Sequence, residues 1–174
     1  MTATIRLMQA EDLTAVGCLQ DSCYGEALFE SHELLSQRLQ QAPASCWLIE
    51  SVGTGIQAYL FSYPSVSGAV TPLAAPFSCC KAPDCLYLHD MAVSPQARGL
   101  KLSSKLLQQA IEYAERLALP RLALVAVQDS VPYWQRQGFI VVSDLPVKAI
   151  NALASYHPGQ AHYMQLDLLS RQPA

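Results

Sequence analysis

Charge is scarce in this chain. Only 14% of its 174 residues are Asp, Glu, Lys or Arg, the net charge is −3 and the pI is about 5.7. No run of Lys or Arg occurs, so the basic surface that nucleic acid requires is missing and nucleic acid is not an expected partner. No stretch reaches the roughly 20 uninterrupted apolar residues of a membrane span, so no membrane is expected either. The opening MTATIRLMQAEDL lacks the basic start and apolar core of an export signal. These absences predict a soluble, cytoplasmic protein. Metal-ligand spacing is lacking too. Of six cysteines, Cys79, Cys80 and Cys85 cluster, but no CxxC pair or HxxxH completes a site, so no metal is expected. In a reducing compartment the thiols should be free and mostly buried, with Cys18 and Cys23 as packing residues on a helix.

What the chain does have is apolar residues, 51% of the total. That is enough to bury a core in one domain spanning 1–174. Residues 3 to 8 read as a first strand. A helix opens at Ala10-Glu11-Asp12-Leu13, with acidic residues in its first turn, and runs to about Cys23. Ser31 caps a second helix, HELLSQRLQQ, which ends before Pro43. CWLIES and IQAYLFSY are strands joined across Val52-Gly53-Thr54-Gly55, a hairpin signal. The proline-bearing connection 64–84 is long enough to be functional. LYLHDMAV is a strand, residues 101–119 a helix, RLALVAV a strand, and VPYWQRQGF a short helix capped at Gly138 ahead of the buried Phe139. IVVSD, the short helical or irregular segment VKAINALAS, and the alternating strand HYMQLDLL complete a mixed α/β layer.

Residues 86 to 139 carry the chemistry. A strand feeding a helix through the turn at Arg98 and Gly99 aims a row of unpaired N–H groups at whatever lies above it, and such a turn binds phosphates. Strict alternation in the preceding strand places Tyr87, His89 and Met91 on one face, and Leu88 and Asp90 on the other. His89 is therefore a candidate base within a few residues of a phosphate site. The bland account of such a histidine is a core residue satisfied by its neighbour Asp90.

The segments LHDMAVSPQARGLKLSSKLL and VPYWQRQGF resemble the GNAT superfamily of N-acetyltransferases, which move an acetyl group from acetyl-coenzyme A to an amine. Within it the chain is most similar to the arylalkylamine (serotonin-type) branch. The resemblance implies an α/β (α+β) GNAT fold, with a mixed, mostly antiparallel seven-stranded sheet and about four helices. It implies acetyl-CoA as cosubstrate and a small-molecule amine as acceptor, and it leaves a homodimer open.

The residues that the resemblance implicates follow the motif. The family's R/Q-x-x-G-x-G/A turn corresponds to Arg98, Gly99, Leu100, Lys101, Leu102 and Ser103, with Ser104 next on the helix. Lys101 replaces a Gly and Ser103 a Gly or Ala. Backbone donors survive any side chain, but a Cβ at Lys101 hinders close approach unless the ammonium compensates. The backbone of Met91, Ala92 and Val93 would pair with the pantetheine arm, and the Met91 N–H would hold the thioester oxygen. His89 would be the general base, because an alkylammonium with a pKa near 10 must lose a proton to attack. The branch's second histidine is Tyr87 here. At the position of the family's acid tyrosine stands Trp134, with Tyr133 one residue earlier. Either Tyr133 reaches the departing sulfur, or the thiolate leaves unaided while Trp134 packs along the arm or in the core. Tyr24, Phe29, Leu34, Tyr63, Tyr156 and Tyr163 are candidates to line the acceptor site, where ring faces attract cations.

The resemblance implies an N-acetyltransferase working by direct transfer in a ternary complex. The rival from another class is a coenzyme-A-binding module with weakened catalysis, on the strength of Tyr87, Lys101, Ser103 and Trp134.

Overall fold

The computed structural model describes residues 3–156 and 160–170, apart from the side chain of Ala27. Strand β1 (Ala3–Leu7) is followed by helices α1 (Leu13–Cys23) and α2 (His32–Gln41), and then by strands β2 (Cys46–Ser51), β3 (Gly55–Ser65) and β4 (Cys85–Val93). Helix α3 (Leu102–Arg116), β5 (Arg121–Ala126), α4 (Val131–Arg136), β6 (Ile140–Val141), α5 (Val147–Leu153) and β7 (His162–Asp167) follow. The seven strands form one sheet in the order β1-β2-β3-β4-β5-β7-β6. Every neighbouring pair is antiparallel except β4 with β5. This is the expected mixed, mostly antiparallel seven-stranded α/β sheet, with five α-helices where about four were expected.

Helices cover both faces, which explains the continuous apolar reading of the central strands. On one face α3 lays Leu102, Leu106, Ala110 and Ala114, spaced four apart, against Leu60, Leu86, Leu122 and Leu124. On the other, Leu13, Val16 and Leu19 of α1 and Leu35 and Leu39 of α2 meet Leu48, Tyr59, Phe61 and Tyr87. The Ser31 side chain accepts from the Leu34 N–H, so the expected cap is present. The hairpin turn is also as expected, with Gly53 and Gly55 at φ 87° and 70°. Pro64 is tolerated inside β3 because β2 stops at the Cys46–Phe61 pair, so no strand there needs its missing N–H.

Three expectations need correction. IVVSD supplies only the two-residue strand Ile140–Val141 at an exposed sheet edge, although Phe139 before it is buried. The thiols are free, but only Cys46 and Cys85 are buried; Cys23 is intermediate, and Cys18, Cys79 and Cys80 are exposed. The third correction lies in β4. Phe61 pairs with Asp90 and Ser62 with Leu88, so His89 is an extra residue, a β-bulge. Alternation breaks there. Leu88 and Met91 face the α3 side, while His89 and Asp90 together face the α1–α2 side, meeting Glu30 and Tyr59.

No helix among the described residues is long and apolar enough to cross a membrane.

Candidate active site

The sheet splits beside the bulge. Pairing between β4 and β5 ends at Leu88–Leu124. Beyond it β4 stays with β3 as far as Val93, and β5 stays with β7 as far as Ala126. The opening between them holds a cavity of about 240 Å³, lined by Tyr24, His89, Asp90, Met91, Tyr133 and Trp134 among others. The Met91 and Val93 carbonyls point away from β3, since they accept from the Tyr24 hydroxyl (2.9 Å) and the Cys23 thiol (3.4 Å). In a strand the N–H of a residue projects to the same side as its C=O, so the N–H groups of both residues face the opening. The Ser94 N–H instead returns to Gln57 of β3 at 2.7 Å.

One end of the opening meets the start of α3. There a space of about 300 Å³ is bounded by Arg98, Gly99, Lys101, Leu102, Ser103 and Ser104, and shares Val93, Ser103 and Tyr133 with the first cavity. Lys101 is the N-cap residue, at φ 57° and ψ 28°, the left-handed conformation that glycine adopts freely. The glycine-like turn is thus kept with a lysine in it. No side chain among the described residues caps this helix, so the N–H groups of Leu102, Ser103 and Ser104 lack intrahelical acceptors at the positive end of a 15-residue dipole. Arg98 and Lys101 are exposed beside them. Leu100 points to solvent and Leu102 packs into the core. The Ala92 side chain is buried on the α1–α2 side, so of the three β4 residues expected along the arm only Met91 and Val93 line the opening.

Tyr133 and Trp134 both line the cavity. The Tyr133 hydroxyl donates to Ser103 Oγ at 2.7 Å, tying α4 to the start of α3. Trp134 sits edge-on to Phe139, ring centroids 5.4 Å apart. Gly138 closes α4 at φ 95°, and a Cβ there would lie 3.2 Å from Leu166. The loop entering α4 carries two successive left-handed residues, Gln128 and Asp129, and Gln128 lines the cavity.

The other end is the His89 chamber, a space of about 40 Å³ lined by Tyr24, Leu28, Glu30, Leu73, His89, Asp90 and Tyr156 among others. The His89 side chain is 2% exposed, and its Nε2 lies 3.2 Å from Glu30 Oε1. Its carboxylate partner is therefore Glu30, 59 residues away, while the adjacent Asp90 accepts from the Tyr59 hydroxyl at 2.7 Å. Arg38, fully buried, grips Glu30 through both guanidinium ends at 2.6 Å each. It also donates to the Ala75 carbonyl. The Ala74 N–H completes the carboxylate's shell. Burial pushes the Glu30 carboxyl up, but hydrogen bonds from His89 and Arg38 outweigh it and bring it down to about 2. Asp90 lacks a cation of this kind, and burial raises its carboxyl above the usual range.

Of the proposed acceptor-lining residues, Tyr24 and Tyr156 reach this chamber. Leu34 is buried and Phe29 is exposed, the latter beside α1. Tyr63 and Tyr163 instead bond Thr71 and the Gly68 N–H. Glu30 and Arg38 were missed by sequence reasoning, and their only early signal was the presence of charge in a chain that has little. A cysteine nucleophile has no support. Burial pushes Cys46 and Cys85 up to about 12, and no cysteine lines the cavity.

The split between β4 and β5 opens onto the uncapped start of α3, a place where main-chain N–H groups can hold an anion. Residues 13–139 match the profile of the acetyltransferase (GNAT) family, and the chain belongs to that family and is an acyltransferase. No curated protein sequence matches it significantly. Among solved structures it is similar to the loading GNATL domain of CurA from Lyngbya majuscula, with 15% identity, 98% of this chain and 100% of that one covered, and a TM-score of 0.76. It is similar to Ard1 from Thermoplasma volcanium, with 14% identity, 98% and 100% covered, and a TM-score of 0.72. A third is the GphF GNAT-like decarboxylase in complex with isobutyryl-CoA, with 16% identity, 95% and 99% covered, and a TM-score of 0.73. At such identities the likeness is one of fold, and it singles out no branch of the family.

Proposed function

We propose that the chain is an acetyl-CoA-dependent N-acetyltransferase acting on a primary amine of a small molecule, by direct transfer in a ternary complex. The observation that carries this reading is the continuity of the opening. It joins the uncapped start of α3 to the His89 chamber, past the main-chain edge of Met91 and Val93 that β5 does not pair. The GphF GNAT-like decarboxylase, of similar fold and solved in complex with isobutyryl-CoA, supports the seating of an acyl-CoA on this fold.

The diphosphate rests on the N–H groups that open α3, with Arg98 and Lys101 neutralising its charge. The arm lies along Met91 and Val93, displacing the Tyr24 hydroxyl from the Met91 carbonyl. The Met91 N–H then meets the thioester oxygen and stabilises the negative charge that develops as the amine adds. His89 takes the ammonium proton, and the freed lone pair attacks the thioester carbon. The thiolate leaves toward Ser103 and Tyr133. A thiol with a pKa near 8.5 departs as the anion, so a proton from Tyr133 helps without being required. Tyr24 and Tyr156 give the acceptor ring faces, and Asp90 gives its ammonium a carboxylate. These features suit an arylalkylamine, a polyamine or an amino acid.

The test is a panel of such amines assayed by release of free coenzyme A, with thermal melting of the chain with and without acetyl-CoA. At 100 times its dissociation constant the coenzyme adds about 2.7 kcal/mol to stability. A shift in melting together with turnover of one amine class supports the reading. A shift without turnover of any amine makes the chain a coenzyme-binding module, and no shift removes the coenzyme site.

A further inference from the structure

We infer that Glu30, locked by Arg38, is a positioning residue that presets His89 as the neutral Nε2–H tautomer and makes Nδ1 the basic atom. The tautomer follows from hydrogen-bond accounting. An ionised carboxylate only accepts. Glu30 is kept ionised by the two-ended grip of Arg38 and the Ala74 N–H. His89 Nε2 lies 3.2 Å from one of its oxygens, so that nitrogen must carry a proton, because two facing lone pairs would repel. Nδ1 is buried with no hydrogen-bond partner among the described residues. A protonated Nδ1 would be a buried donor without an acceptor, which costs about 1–3 kcal/mol. A bare lone pair, on a ring whose centroid lies 5.6 Å from that of Phe77 and 6.2 Å from that of Tyr87, is the cheaper state. It also leaves the buried cluster of Arg38, Glu30 and His89 electrically neutral.

The groups facing the ring are few. Glu30 comes from the segment before α2, and Arg38 from α2 itself. Tyr24 lies at the end of α1, Asp90 and Tyr87 on β4, and Tyr156 after α5. Among the described residues only Glu30, itself held by Arg38, makes a hydrogen bond to the ring. In turnover, Nδ1 takes the proton of the acceptor ammonium and the imidazolium that forms keeps its Nε2–H on Glu30. The amine, now neutral, forms the new C–N bond as the C–S bond breaks, and the second proton shed by its nitrogen goes to the departing thiolate, giving the amide and free coenzyme A. This role in turnover rests on the acyl-transfer reading, whereas the tautomer does not.

The deciding experiment has two arms. Nitrogen-15 spectra of the imidazoles in the whole chain, with His89→Gln to assign the signal, should show at neutral pH a ring protonated at Nε2 and bare at Nδ1. A protonated Nδ1 overturns the inference, whatever the fate of the enzyme reading. In the kinetic arm Glu30→Gln should lower kcat roughly 10- to 100-fold, the range for partners that orient metal-bound histidines, with KM for acetyl-CoA unchanged. Losing the carboxylate makes the imidazolium less favourable, so the acid limb of kcat/KM should move to lower pH. A fall in kcat with an unmoved limb reduces Glu30 to packing and overturns the positioning role. If the unaltered chain turns over no amine, the acyl-transfer reading fails while the spectrum still decides the tautomer. Should Glu30→Gln not fold, the spectrum of the unaltered chain decides alone.

Discussion

At the α3 end of the opening the chain presents main chain, exposed cations and a turn that tolerates lysine where glycine fits best; at the His89 end it presents three side chains buried almost completely and matched atom to atom. A site made of backbone N–H groups depends on the path of the chain and little on residue identity. A buried ionic cluster depends on every member, because removing one leaves another charge without a partner. Substitutions should therefore divide sharply between the two ends.

The largest effect belongs to Arg38. Arg38→Met removes the cation from a carboxylate that is 4% exposed and leaves the Ala75 carbonyl without its donors. Urea denaturation should show a loss of about 3–5 kcal/mol. Lys101→Met at the other end should lose almost nothing. Equal losses at both ends would erase the contrast.

Acid should reach the same cluster. The ordinary glutamate value is 4.5, and in the fold Glu30 is brought down to about 2. A depressed carboxyl contributes stability that is present above the unfolded value and is lost as pH falls through the folded one. Stability measured from pH 5 down to pH 2 should therefore fall with a component that Glu30→Gln removes. Asp90 works in the opposite sense, since burial raises its carboxyl and its charged form is the unfavourable one. Asp90→Asn should leave the acid slope from Glu30 in place.

Much of this contrast was legible in the sequence at one end only. The turn at Arg98, the helix it opens and the cap at Gly138 are local, and spacing alone located them. The strands were legible because alternation and the Gly53–Gly55 hairpin are also local. The bulge was not. An inserted residue at His89 is defined by what β3 places opposite it, so strict alternation put Asp90 on the wrong face. Nor was the Glu30–His89 pair, whose members meet only after α1, α2 and the 66–84 connection have folded over β4.

A smaller effect tests the seam between the two ends. Tyr133 donates to Ser103 across half-buried ground, so Ser103→Ala should cost about 0.5–1.5 kcal/mol. If the thiolate leaves unaided, Tyr133→Phe should slow turnover only modestly, and a loss as large as that of His89→Gln would make Tyr133 the proton donor.

The smallest change should have the opposite sign. Lys101 holds a left-handed conformation at φ 57°, which costs an ordinary residue roughly 1–2 kcal/mol and a glycine nothing. The freedom glycine gains in the unfolded chain takes back part of that relief. Lys101→Gly should therefore raise stability by about 1 kcal/mol, or about 2–4 °C in Tm for a chain of this size. Its effect on acetyl-CoA affinity sets two properties of the lysine against each other, since the ammonium attracts the diphosphate while the Cβ and stem hinder its approach. Titration at two salt concentrations separates them. Weaker binding of the glycine variant, with a shallower salt dependence, identifies the ammonium as a phosphate contact. Tighter binding with the salt dependence unchanged identifies the stem as the obstacle. A gain in stability with no change in affinity at either salt concentration would place the lysine side chain in solvent, with the main chain alone forming that end of the site.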